Sequence, residues 1–69
     1  MKEGDRAIIL KIKGTAQLRS YLLTLGLVKG AVFTKNYSPS YTKLINITIN
    51  GKMLGLKRND FQNIEYELF

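Results

Sequence analysis

Short runs of alternating apolar and polar residues dominate this chain, and one stretch alone carries apolar residues at helical spacing. From Arg6 to Lys13 the second half alternates, with Ile8, Leu10 and Ile12 on one face, which predicts a strand with one buried side. Gly14 ends it. Thr15 then offers a hydroxyl to the first free backbone N–H groups of a helix. Ala16 to Leu25 places Leu18, Leu22 and Leu25 at i, i+4 and i+7, a helical stripe that Tyr21 widens, while Gln17, Arg19, Ser20 and Thr24 lie outside it. Gly26 falls where helices commonly end in a left-handed residue, and Leu27 can fold back on the last turn.

Gly30 marks the next turn, and Ala31 to Tyr37 is rich in β-branched and aromatic residues, as strands are. Ser38-Pro39-Ser40 breaks that strand, because proline cannot donate a ladder bond. Lys43 to Asn50 alternates with Ile45, Ile47 and Ile49 on one face and Leu44 out of phase. Asn50-Gly51 then predicts a tight hairpin, since both central residues of that turn need positive φ. Lys52 to Lys57 returns as the partner strand, Arg58-Asn59-Asp60-Phe61 reads as a short turn, and Ile64 to Leu68 is a last strand with Ile64, Tyr66 and Leu68 inward. Five short strands with a single helix after the first predict a mostly-β, SH3-like barrel occupying residues 1–69 as one domain, since closure removes exposed sheet edges.

Length narrows the function. A chain of 69 residues buries only about 60% of its unfolded surface and has little interior left for a deep pocket, which argues for surface binding. Cysteine and histidine are both absent, so there are no disulfides, no thiolate or imidazole metal ligands and no histidine general base. The opening Met1-Lys2-Glu3-Gly4-Asp5 shows no signal peptide, and no apolar run approaches the roughly 20 residues that span a bilayer. The expectation is a cytoplasmic protein without cofactor or catalytic residues.

The remaining chemistry is thin. Glu65 and Glu67 share one strand face and could chelate a hard cation, but a solvated outer face is the favoured reading. Asp60 is expected to cap a turn. No serine or threonine has a histidine to activate it, and no phosphate-binding glycine loop occurs. The net charge of +6 raises nucleic acid or an anionic membrane as partners, although scattered lysines also simply keep small domains dispersed. Lys11, Lys13, Tyr37, Tyr41 and Lys43 form the set that could stack on and neutralise a single strand. Tyrosines around Ser38-Pro39-Ser40 suit a protein contact equally well.

The stretch Leu18-Arg19-Ser20-Tyr21-Leu22-Leu23-Thr24-Leu25-Gly26-Leu27-Val28-Lys29-Gly30 resembles the FeoA family of small accessory proteins of bacterial ferrous-iron uptake. Asn50-Gly51-Lys52-Met53-Leu54-Gly55-Leu56-Lys57-Arg58 is similar to the family's glycine turn and following strand, and Ile64-Glu65-Tyr66-Glu67 to its closing strand. Lys29 replaces the usual proline, and Gly55 stands where serine is common. The resemblance implies an SH3-like barrel and, as partner, the membrane ferrous-iron transporter FeoB with its cytoplasmic GTPase domain. The same domain type ends iron- and manganese-dependent repressors, but no helix-turn-helix precedes it here, and no metal site is carried over. The expected contact surface is Arg19, Tyr21 and Leu23 on the helix with Val28 and Lys29 in the next loop, framed by the turn residues Gly14, Gly26, Gly30, Asn50 and Gly51. Rival readings are the single-strand binder above and a self-associating adaptor or homodimer built on an exposed helix flank.

Overall fold

Ile45, Ile47 and Ile49 are buried along one face of β3 (Leu44–Ile49), and Asn50 and Gly51, at φ 53° and 76°, turn the chain into β4 (Lys52–Lys57). The computed structural model describes residues 1–69. β1 (Arg6–Ile12) leads into the helix α1 (Ala16–Thr24), followed by β2 (Val32–Lys35), the β3–β4 hairpin, a one-turn helix α2 (Arg58–Phe61) and β5 (Ile64–Leu68). The strands form one antiparallel sheet in the order β4-β3-β2-β1-β5. No helix is long and apolar enough to cross a membrane.

α1 is bounded on both sides by local chemistry. The Thr15 hydroxyl accepts a hydrogen bond from the Leu18 N–H at 3.1 Å. At the other end Gly26, at φ 90°, lets its own N–H reach the Leu23 carbonyl and the Leu27 N–H reach the Leu22 carbonyl, at 3.0 and 3.1 Å. This paired capping closes the helix and drops Leu27 into the core beside Leu22, both fully buried. Val28, Lys29, Gly30 and Ala31 then form a turn closed by the Ala31 N–H on the Val28 carbonyl at 3.0 Å. Gly30, at φ 88°, holds its third position and Lys29 its second, the place that accepts proline and most other residues alike.

β1 departs from the alternation expected of it. Ala7 and Ile9 face the core, whereas Leu10 is 43% exposed, so Ile8, Leu10 and Ile12 do not share a buried face. The cause is a bulge. Ile9 pairs with Tyr66 and Lys11 with Glu65, which leaves Leu10 as an extra residue opposite β5. The extra residue shifts the phase, and Ile12 packs against the core although it lies three positions after Ile9. On the opposite edge Ile9 exchanges backbone bonds with the next turn, accepting from Gly30 at 2.7 Å and donating to Ala31 at 2.8 Å.

Three further expectations change. Residues 58–61, read as a turn, close a helical turn of their own, and Asp60 supplies its backbone carbonyl to Asn63 rather than a side-chain cap. Leu68 is half exposed, so the inward face of β5 is Ile64 with a half-buried Tyr66. Phe61 of α2 meets Phe33 and Tyr66 with ring centroids 5.7 to 6.0 Å apart, two of the three pairs edge-on. This aromatic trio ties α2 and β5 to the buried Phe33 of β2.

A Cβ at residue 26 would lie 3.0 Å from the Asn50 side-chain nitrogen, on a backbone that L-residues avoid. Gly26→Ala is therefore expected to lower the stability to urea by about 1–2 kcal/mol. Gly30→Asn, where an added Cβ meets nothing within 4 Å and the new residue is one that tolerates the left-handed region, should cost less than Gly26→Ala. Equal midpoints for wild type and Gly26→Ala would contradict this account of the cap.

Candidate partner-binding groove

Positions 16, 19, 20 and 23 follow the helical repeat and bring Ala16, Arg19, Ser20 and Leu23 onto one flank of α1. Facing them are Leu10, Lys11 and Ile12 from the bulged part of β1, and Leu27, Val28 and Lys29 from the segment after the helix. Together they line an open groove of about 610 Å³. Its large exposed apolar residues are Leu23, Leu10 and Val28, at 60%, 43% and 38% exposure. Lys11, Arg19 and Lys29 supply its only charges, and no carboxylate lines it. An apolar floor with a cationic border fits an apolar segment that carries acidic residues.

Four of the residues singled out from the sequence, Arg19, Leu23, Val28 and Lys29, meet in this groove. Tyr21 does not. It lies on the other flank of α1, in a second depression of about 480 Å³ with Leu18, Leu44 and Lys57. The reason is helical geometry, since two residues along the helix is about 200° around it. Leu10, Lys11 and Ile12 enter the site without having been named for a protein contact. Only the bulge exposes Leu10, and it is set by pairing with β5, so local alternation carries no signal for it.

The set proposed for single-strand binding is divided by the fold. Lys11 lines the groove, Lys13 is engaged with Glu65 at 2.8 Å, and Tyr37, Tyr41 and Lys43 lie in or beside the long loop between β2 and β3. The carboxylates are dispersed too. Asp5 accepts from the Lys2 backbone N–H at 2.7 Å, and no three of the acidic residues gather into a metal-sized cluster. The hydrogen bond from Lys13 holds the Glu65 carboxyl below the usual carboxylate range, helped by the nearby charges of Lys13 and Lys11.

The chain matches the FeoA domain over residues 1–68. It belongs to the FeoA family. A crystal structure of an iron uptake regulatory protein, FeoA, superposes with a TM-score of 0.90 at 23% identity, covering 100% of this chain and 91% of that one. A FeoA protein from Chlorobium tepidum gives 0.89 at 29% identity, over 100% of this chain and 66% of that one. A manganese-dependent transcriptional repressor bound to manganese gives 0.92 at 17% identity, this chain aligning in full with 34% of the repressor. At 23% and 17% identity, the first and the last of these likenesses concern the fold alone. A comparison with curated proteins finds no match. The fold is thus the mostly-β, SH3-like one of FeoA proteins, and family membership connects the chain with ferrous-iron transport as a small accessory domain.

The depressed Glu65 ionisation has a measurable consequence. Because the folded-state value lies below the unfolded one, the pair with Lys13 contributes above the unfolded range and is lost as pH falls through the folded value. In an NMR titration Glu65 should titrate at lower pH in the wild type than in Lys13→Met. An unchanged Glu65 midpoint in that variant would show that Lys13 is not the cause.

Proposed function

We propose that this FeoA-family chain is a non-catalytic accessory protein of ferrous-iron uptake that docks on the cytoplasmic GTPase portion of the membrane transporter FeoB. In this reading residues 1–69 act as one module on the cytoplasmic side of the inner membrane, with the α1–β1 groove as contact surface. The observation that carries it is Leu23, an apolar side chain left 60% exposed on a helix whose other leucines pack inward. Burying an exposed leucine is worth about 1.5–3 kcal/mol, and Leu10 and Val28 lie beside it to extend the apolar contact. Lys11, Arg19 and Lys29 would select an acidic partner and speed its approach more than they would tighten the complex. Without histidine or cysteine, the groove offers binding and no obvious proton-transfer or nucleophilic chemistry.

Leu23→Glu is the decisive variant. It replaces the apolar floor by a carboxylate that can pair with the bordering cations, so both features of the groove are lost together. Calorimetric titration against the transporter's cytoplasmic domain should show at least a roughly tenfold weaker complex, the loss expected on removing ~1.4 kcal/mol of contact energy. Tyr21→Ala, on the opposite flank, should bind as the wild type does. Unchanged affinity of folded Leu23→Glu would exclude this groove as the docking surface.

A further inference from the structure

The groove uses one flank of α1, and the other flank opens on a surface of different character. The depression containing Tyr21 also contains Leu44 and Lys57, and these two residues line a third depression with Lys43, Arg58 and Asn59. The two depressions therefore form one continuous surface, and it shares no lining residue with the α1–β1 groove. Lys57 is the cross-strand partner of Leu44, the Arg58 N–H bonds the Lys43 carbonyl at 2.8 Å, and all three basic residues line the third depression together with this one aliphatic residue. None of the three is in an ion pair, since the chain's one salt bridge joins Lys13 to Glu65. Asp60, in the depression beside Lys57, is the one carboxylate lining this surface.

The adjoining loop adds an aromatic group. Arg58 donates to the Thr42 carbonyl at 3.0 Å and to the Pro39 carbonyl at 3.2 Å, and the Thr42 hydroxyl also donates to Pro39 at 2.9 Å. Held between these anchors, Tyr41 is 87% exposed; Tyr21 and Leu44 are 52% and 43% exposed. Exposed tyrosines, an aliphatic side chain and unpaired cations on a braced scaffold match the headgroup layer of an anionic bilayer. Tyrosine's amphipathic ring settles at that depth, aliphatic carbon reaches the acyl boundary, and lysine neutralises lipid phosphate. A nucleic acid strand would use the cations and the rings but gains nothing from the exposed aliphatic Leu44 among them. Lys11 and Lys13, which would extend a strand-binding track, are not on this surface.

We propose that the surface formed by Tyr21, Lys43, Leu44, Lys57 and Arg58, with Tyr41 beside it, binds the anionic headgroup layer of a lipid membrane. The module then has two working faces, one for a protein and one for lipid, separated by α1. This membrane face does not depend on the transporter-docking reading, because protein-free vesicles test it alone.

The test is co-sedimentation of the full chain with vesicles of mixed phosphatidylcholine and phosphatidylglycerol, against vesicles of phosphatidylcholine only. The wild type should partition onto the anionic vesicles, with affinity falling as salt rises. Lys43→Ala and Lys57→Ala should each lower the partition coefficient about fivefold, and the double variant about thirtyfold. Lys11→Ala combined with Lys29→Ala, on the protein-binding flank, should change it less than about twofold if lipid meets the proposed face alone. Equal partition of the wild type onto both vesicle types overturns the proposal without recourse to any variant. A Lys11/Lys29 effect as large as the Lys43/Lys57 effect would mean undirected charge attraction and overturns it too. So would binding to mixed-sequence oligonucleotides that is lost in the Lys43/Lys57 variant while vesicles stay unbound.

Discussion

Ile9 is the residue through which the sheet, the turn after the helix and the groove are joined. Its side chain is buried, its backbone bonds Gly30 and Ala31 on one side, and it is the last residue of β1 in register with β5 before the bulge. The sheet continues past it only because Leu10 is left out of the pairing. That single extra residue turns Leu10 outward and returns Ile12 toward the core. The part of the groove wall made by Leu10, Lys11 and Ile12 is therefore a product of strand pairing. The same Ile9 bonds fix where Val28 and Lys29 emerge, so both ends of the groove are positioned by one backbone residue.

α1 has to satisfy three environments with nine residues. Leu18 and Leu22, with Leu25 at the C-cap, pack into the core, while the flanks carrying Leu23 and Tyr21 stay open. A helix this short gains little stability on its own, so its hold on the core depends on packing and on its ends. Thr15 and the Gly26–Leu27 cap meet that need, the second by converting the helix exit into another buried leucine. With both ends fixed by local bonds, the flanks are free to carry apolar side chains that stay largely exposed.

Much of this is visible in the amino-acid sequence itself. Ile45, Ile47, Ile49 and Asn50-Gly51 specify the central hairpin because alternation and turn chemistry are local and agree. Thr15, the leucine stripe and Gly26 specify α1 for the same reason. What escapes local reading is whatever a distant strand decides. The Leu10 bulge is a response to Tyr66 and Glu65 at the far end of the chain, so the buried face of β1 reads out of phase. Arg58 to Phe61 form a helical turn where Phe61 can reach Phe33 and Tyr66, a contact no four-residue pattern announces. In the candidate site, Arg19, Leu23, Val28 and Lys29 converge because they are close in sequence, while Leu10 to Ile12 join them only through the fold.

The charge of +6 gains meaning once it is divided by surface. Lys11, Arg19 and Lys29 border exposed aliphatic residues, Lys43, Lys57 and Arg58 line one depression with Leu44, and Lys13 is matched by Glu65. A uniformly basic domain would attract any polyanion, and its selectivity would be poor. Cations set around apolar ground are more selective, because a partner must provide both charge and hydrophobic contact to gain from either. Two such patches on opposite flanks of one short helix suit a small module that works at a crowded boundary, where charge brings it close and apolar contact decides whether it stays.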